Sequence, residues 1–452
     1  MTGEPSPPSD ARDARAHSVH PQPAGAATEG GDLADSQAAV LFLDLAAVLL
    51  IAPLAGRAAS ALGQPAVLGE IVAGVLLGPT LLRGHLSDTL FPSDLRPFLG
   101  VLANVGLVLF MFVVGLEFDH GRLRGFGRVT GTIAASAALT PLALGCLLAL
   151  RLAQSHETAN RFGFVLFFGI AMSITAFPVL ARILVDRRMN RTLVGSIALT
   201  AAAVSDLAAW TVLALVQVLV DGESGRQWTV LLAVPFTAVL VFLVRPFMRR
   251  MLIQDGEDAP LAMSRFTALL AFLFASAAVT QLIGLHFVFG AFLFGLVVPR
   301  AATERTRHDL MRRARTAGSF LLPVYFLLSG LNVDLSTLGF NGLLELALIL
   351  VTAITGKFVG TMGAARAQGM TARRSAILAS LMNTRGLTEL IVLGIGLQTG
   401  VFDKSLYSQM VVMAIVTTGM AGVLLRRLAG PEDHNEQEAD DAVEAGATGS
   451  RR

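Results

Sequence analysis

The chain has 452 residues, of which 54% are hydrophobic and only 15% charged, and its formal net charge is +2. A soluble domain carries about 25% charged residues, so this composition argues against a water-soluble globular enzyme, and the small net charge offers no field for nucleic acid or another acidic partner. A single cysteine, Cys146, excludes an intrachain disulfide framework or a cysteine metal site, and no HExxH or P-loop pattern is present.

Residues 1–38, rich in Pro, Ala, Gly, Ser and Asp, read as a disordered tail without the basic start and apolar core of a signal peptide. Apolar runs of a length that crosses ~30 Å of hydrocarbon as helix then recur. They predict about 13 spans, near 39–57, 64–82, 98–116, 127–150, 162–185, 193–220, 229–248, 263–283, 285–299, 317–332, 341–364, 375–398 and 405–426. The ninth is short, and Gly284 and His286 separate it from the eighth. Residues 427–452 form a polar tail, too short for a nucleotide-binding regulatory domain. The fold class expected is an all-α membrane protein.

Basic residues give the orientation. With the N-terminus outside, the inner segments hold Arg57, Arg122, Arg124, Arg128, Arg187, Arg188, Arg191, Arg245, Arg249, Arg250, the arginines of 300–315, Arg366, Arg373, Arg374, Arg426 and Arg427. The outer loops hold only Arg83, Arg96, Arg151, Arg161, Arg226 and Lys404. This asymmetry places the C-terminus in the cytoplasm.

The spans divide as a first repeat (39–220), a linker helix (229–248) and a second repeat (263–426), an arrangement that permits inverted six-helix halves. The fifth member of each half is interrupted. In the first, AMSITAFPVLARIL places Ser173, Thr175 and Pro178 mid-span; in the second, LMNTRGLTELI places Asn383, Thr384, Arg385 and Glu389 there. Matching interruptions point to a transport site at the midplane built on two discontinuous helices.

Asp206 lies in the apolar run of the following helix, where a charge costs roughly 2.5–3.5 kcal/mol and is functional by default. Lys357, one of two lysines in the chain, stands mid-span in the second half. It can lose its proton when buried, as arginine cannot, so Asp206 and Lys357 are a candidate titrating pair. Unwound carbonyls with the hydroxyls of Thr175 and Ser205 can replace water around a hard cation, and one fixed carboxylate suits a monovalent ion. Arg385 and Glu389 share a face at i, i+4 if helix continues, or neutralise half-helix ends. Other features have structural readings: Glu70 as an interfacial or bundle residue, the 300–315 arginines as a solvated face, and Gly74/Gly78 and Gly356/Gly360 as close packing.

QPAVLGEIVAGVLLGP (64–79), LVLFMFVVGLEFD (107–119), AMSITAFPVLARIL (171–184), AAAVSDLAAW (201–210), IGLHFVFGAFLFGLVVP (283–299), FLLPVYFLLSGLNVDL (320–335) and LMNTRGLTELIVLGIGL (381–397) together resemble the monovalent cation:proton antiporter-2 family, including its sodium/proton exchangers and Kef-type membrane domains. The resemblance covers about 39–426. It implies a homodimer with a dimerisation domain and a six-helix core of spans four to six and eleven to thirteen, crossing beside Asp206. It also implies that Asp206 binds ion or proton, that Thr175 matches the polar position of the first crossover, that Lys357 matches the core lysine of electrogenic members, and that Asn383, Thr384 and Arg385 match the second broken helix. Position 205 is Ser where many relatives carry Asp, Asn or Gln.

The function expected is secondary antiport of Na⁺ or K⁺ against H⁺ by alternating access, with Asp206 shared between them. No enzymatic activity, cofactor or nucleic-acid partner is expected; the partners are the ions, the lipid bilayer and a second copy, in a bacterial inner membrane. The alternatives are a sodium-coupled organic-solute carrier, which needs more polar core residues, an intramembrane aspartyl enzyme, which needs a second deep aspartate, and a passive channel or sensor.

Overall fold

The computed structural model of the chain describes residues 26–80, 85–92, 94–117, 127–156, 160–187, 189, 192–220, 232–253, 261–299, 304–336 and 338–428. All secondary structure among these residues is helical. The described residues fall into two units divided between Leu43 and Asp44; the first holds the opening of α1 (Ala26–Ala61). Helix thus begins at Ala26, inside the segment expected to be a tail, where alanines continue the turn of the apolar run behind them. The polar tail expected after 428 lies outside the described residues.

In the second unit the chain continues as α2 (Ala66–Leu77), α3 (His85–Leu90), α4 (Arg96–Glu117), α5 (Arg128–Leu152), α6 (Arg161–Ser173), α7 (Phe177–Asp186) and α8 (Leu193–Val220). Then come α9 (Ala233–Val239) and α10 (Arg245–Ile253), joined by a π-helical turn at Leu240–Val244, followed by α11 (Met263–Leu282), α12 (Phe287–Val297) and α13 (Glu304–Leu331). The last four are α14 (Phe340–Ala367), α15 (Ala372–Met382), α16 (Leu387–Gln398) and α17 (Lys404–Leu428). The described part of each expected span is largely helical, and among the described residues eight helices are long and apolar enough to cross a membrane singly.

The exceptions have local causes. Proline at 65 and the Gly78-Pro79 pair confine α2 to 12 residues, shorter than the 64–82 expected. Gly284, at φ 93°, makes the left-handed turn between α11 and α12, and Pro299 follows α12. At the other extreme, α13 starts 13 residues before the expected 317. Its arginine-rich first turns are held by Asp309, which pairs with Arg312 at 2.6 Å and Arg313 at 2.8 Å.

The principal helix pairings fall into two sets. One packs α2, α4, α11, α12 and α13 together, with the π-turn segment against α12. The other packs α5–α8 with α14–α17, the six-span core expected. Glycine brings backbones into contact in both. A Cβ at Gly74 of α2 would lie 2.2 Å from the Leu327 carbonyl of α13, and one at Gly360 of α14 would lie 2.5 Å from the Ser136 carbonyl of α5. Glu70 is packed against α1, its carboxylate 3.2 Å from where a Gly56 Cβ would stand.

Candidate functional site

Two helices break at the centre of the core, and each break has a sequence cause. Pro178 is the second residue of α7, and its ring would collide with the carbonyl of Ile174 four residues back in continuous helix. Ile174 is accordingly extended, at ψ 141°, and α6 stops at Ser173. In the second half, the Thr384 hydroxyl turns back to the Leu381 carbonyl at 2.7 Å, competing with the backbone ladder, and Gly386 is extended before α16 begins. The two breaks are stitched together: the Ala176 amide donates to the Thr384 carbonyl at 3.2 Å, and the Thr175 hydroxyl donates to the Met382 carbonyl at 2.9 Å.

Broken helices expose carbonyls at one end and amides at the other. The α6 end meets two cations. Arg385 donates to the carbonyls of Ala171 at 2.9 Å and Met172 at 2.8 Å. Lys357 donates to the Ser173 carbonyl, to the Thr175 hydroxyl at 2.7 Å and to the Ala137 carbonyl of α5 at 3.2 Å. Arg385 also forms a fully buried ion pair with Glu389 at 2.8 Å, although Arg385 itself precedes α16. At the opposite end, the first amide of α7, Phe177, donates to Asp206 Oδ2 at 3.3 Å. The Thr388 hydroxyl also acts on this carboxylate, while Oδ1 is buried without a hydrogen-bond partner.

The structure therefore revises the expected Asp206–Lys357 pair. No direct ion pair joins them; the ammonium is taken up by the carbonyl end of α6, whose partial negative charge satisfies it in place of a carboxylate. Thr175, expected to face the ion, is committed to Lys357 and Met382 in this conformation. Ser205 and Ser173 are buried, and Ser173 contributes its carbonyl. Asn383 is fully buried with neither amide atom partnered. Sequence reasoning missed Thr388, although it stands in the interrupted motif, and Thr418 of α17, which bonds both the amide and the carbonyl of Arg385 at 2.8 Å. Among the described residues no three His, Cys, Asp or Glu side chains converge as a metal cluster.

A narrow cleft is lined by Pro65, Leu68 and Ile71 on one side and by Arg385, Gly386 and Leu390 at the second break on the other. It lies on the seam between the two sets.

The family model described as "Sodium/hydrogen exchanger, transmembrane" matches residues 46–429. The chain belongs to this family. It is 37% identical over 402 residues to the Na⁺/H⁺ antiporter NhaS4 of Synechocystis, covering 86% of this chain and 97% of that one. It is 34% identical to cation/H⁺ antiporter 15 of Arabidopsis thaliana and 32% identical to K⁺/H⁺ antiporter 1 of Saccharomyces cerevisiae. These matches cover 81% and 86% of this exchanger but only 45% and 46% of the longer relatives. The sodium/proton antiporter MjNhaP1 of Methanocaldococcus jannaschii has the same fold, with a TM-score of 0.53, 13% identity and coverage of 88% of this chain and 98% of that one.

Proposed function

We propose that this exchanger carries Na⁺ or K⁺ in one direction and H⁺ in the other, with Asp206 binding one or the other. The observation that carries this reading is the Asp206 carboxylate itself. It is buried at the crossing of two broken helices, with one oxygen on the α7 amide end and the other unpartnered. A buried carboxylate left bare is costly, so a proton or a monovalent cation on the free oxygen completes it, and occupancy by one excludes the other. The Thr388 hydroxyl acts on the same carboxylate, buried Ser205 and the unpartnered amide of Asn383 are the further neutral oxygens we assign to the ion, and Lys357 with Arg385 fixes the carbonyl end of α6. The seam beside Ile71 and Gly386 is where the core slides on the first helix set to expose the site to each side in turn.

Under this reading the protein is a carrier, not an enzyme, and needs no cofactor. It works as a homodimer in a bacterial inner membrane, with the N-terminus outside and the arginine-rich face in the cytoplasm. The test is a proteoliposome with a lumenal pH dye, given Na⁺, K⁺, Li⁺ and Rb⁺ separately. Cation-driven proton movement in wild type and none in D206N, with both proteins folded, is the expected result. Exchange by D206N at the wild-type rate would remove Asp206 from the site.

A further inference from the structure

A second charged cluster lies away from the ion site, at the arginine-poor end of the core. His156, in the connection between α5 and α6, points between two carboxylates of the second half. Its Nδ1 is 2.6 Å from Asp403 Oδ2, and its Nε2 is 3.4 Å from Glu345 Oε2 on α14. The imidazole is only 7% exposed, whereas Asp403 is 41% exposed and opens the cluster to solvent. Ser155 donates to Glu345 Oε1 at 3.1 Å and Gln409 of α17 to Oε2 at 3.3 Å. The neighbouring cations are Lys404, at the start of α17, and Arg151 and Arg161, on the ends of α5 and α6; Arg161 donates to the Leu150 carbonyl.

A neutral imidazole donates one hydrogen and would turn a lone pair toward the second carboxylate. The Nε2–Glu345 approach is an ion-pair contact without a hydrogen bond in this conformation, so only the imidazolium is attracted to both carboxylates at once. The cluster also has a mechanical position. Asp403 caps α17 by accepting from the Leu406 amide at 2.7 Å. Its neighbour Phe402 sets its ring edge-on against Phe164, Phe167 and Phe168 of α6, at 6.0, 5.3 and 6.4 Å. The segment 399–403 ties the end of α16 to α17, so pinning Asp403 to His156 holds the second half's broken helix, α16, against the first half's, α6.

We propose that His156, Asp403 and Glu345 form a proton-operated latch, closed when His156 carries its proton, that holds the α6 and α16 half-helices together from the arginine-poor side. This rests on the antiport reading only for what the latch regulates, not for its existence. The titration has the right direction. The hydrogen bond with Asp403 raises the His156 pKa above its ordinary value of 6.5 against the opposing effect of burial, and Glu345 adds to it. For Asp403, burial opposes ionisation, but the bonds from His156 and the Leu406 amide outweigh it and hold the carboxyl below its ordinary range. A group with a raised pKa contributes its full stabilisation below the unfolded value, here 6.5, and loses it as pH rises through the folded value. The latch is therefore closed in mildly acidic medium and releases on the alkaline side.

The experiment is hydrogen exchange of the full-length exchanger in nanodiscs at pH 6 and pH 8.5, corrected for intrinsic chemistry, on peptides covering 153–156 and 399–406. The expected result is clearly greater protection at pH 6 than at pH 8.5 in wild type, because the latch closes as His156 takes up its proton. H156Q should show the alkaline level at both pH values, and E345Q an intermediate change because Asp403 remains. Equal protection at both pH values in wild type, or H156Q behaving as wild type, would overturn the latch. Transport by H156Q and D206N is read in parallel. If D206N still exchanges ions while the protection pattern holds, the ion-site assignment fails and the latch stands.

Discussion

Gly386 tests whether the crossing is as tightly fitted as it looks. The residue is extended, at φ 168°, a conformation open to any amino acid, so replacing it with alanine brings no backbone strain. The cost is steric and local. The new Cβ would stand 2.5 Å from Val179 Cγ2 of α7 and 3.5 Å from Ala176 Cβ. Carbon atoms prefer 3.5–4.0 Å, so one of the breaks must move by roughly 1 Å, and Val179 has little rotamer freedom to yield because it is β-branched within a helix. Overpacking of this kind costs about 1–3 kcal/mol. The displaced atoms are those that hold the Phe177 amide on Asp206, so exchange should fall more than stability does. G386A should lower the melting temperature in detergent and cut the proteoliposome exchange rate about tenfold, as expected for ~1.4 kcal/mol lost at the site. V179A removes the offending methyl, so the double variant should recover most of both losses. A G386A protein with wild-type stability and exchange, or a double variant no better than the single one, would show that the two breaks do not fit as the geometry requires.

Other perturbations separate the roles around the site. R385A should destabilise by about 3–5 kcal/mol, because it leaves Glu389 buried and unpaired, whereas replacing both partners with apolar residues should cost much less; thermal unfolding of the set measures the difference. N383A removes an amide that has no partner, so stability should hold while the apparent cation affinity drops in the flux assay. T175S keeps the hydroxyl that receives Lys357 and should exchange ions; T175V should be impaired, and equal flux in the two would dismiss that bond.

The helices were legible because apolar length is a strong signal, and so were the breaks, because Pro178 and the run Asn383-Thr384-Arg385-Gly386 contradict an apolar helix openly. Partners across the break were less so. Two opposite charges in one core invite pairing, but whether Lys357 reaches Asp206 depends on which carbonyls the end of α6 leaves bare, and those belong to Ala171, Met172 and Ser173, apolar or small residues whose side chains say nothing of it. Thr388 and Thr418 were passed over because a lone threonine in a membrane helix commonly satisfies its own turn; only the crossing makes them neighbours of the site. Glu345 lies 190 residues beyond Ser155 and Asp403 247 beyond His156, and only tertiary packing reveals them as a cluster.

With Asp206 as the ion site, as proposed above, the charge arrangement also limits what the exchanger can carry. Arg385 and Glu389 cancel one another, and the Lys357 ammonium sits on the carbonyl end of a half-helix, which offers about half a negative charge. Asp206 is then the acid of the crossing without a cationic side chain in contact, facing an amide end of about half a positive charge. One added unit charge, from H⁺ or from an alkali cation, brings this site to the same net charge in either loaded form, so both forms can cross the low-dielectric seam at similar cost. A divalent ion adds one charge more, uncompensated by any second carboxylate at Asp206, and a buried unpaired charge costs several kcal/mol. Mg²⁺ or Ca²⁺ added to proteoliposomes should therefore move protons at least a hundredfold more slowly than the preferred monovalent cation, a ratio equivalent to about 2.7 kcal/mol. Comparable rates for a divalent and a monovalent ion would mean that a second acid reaches the site during transport, and Glu389, released from Arg385, would be the residue to test.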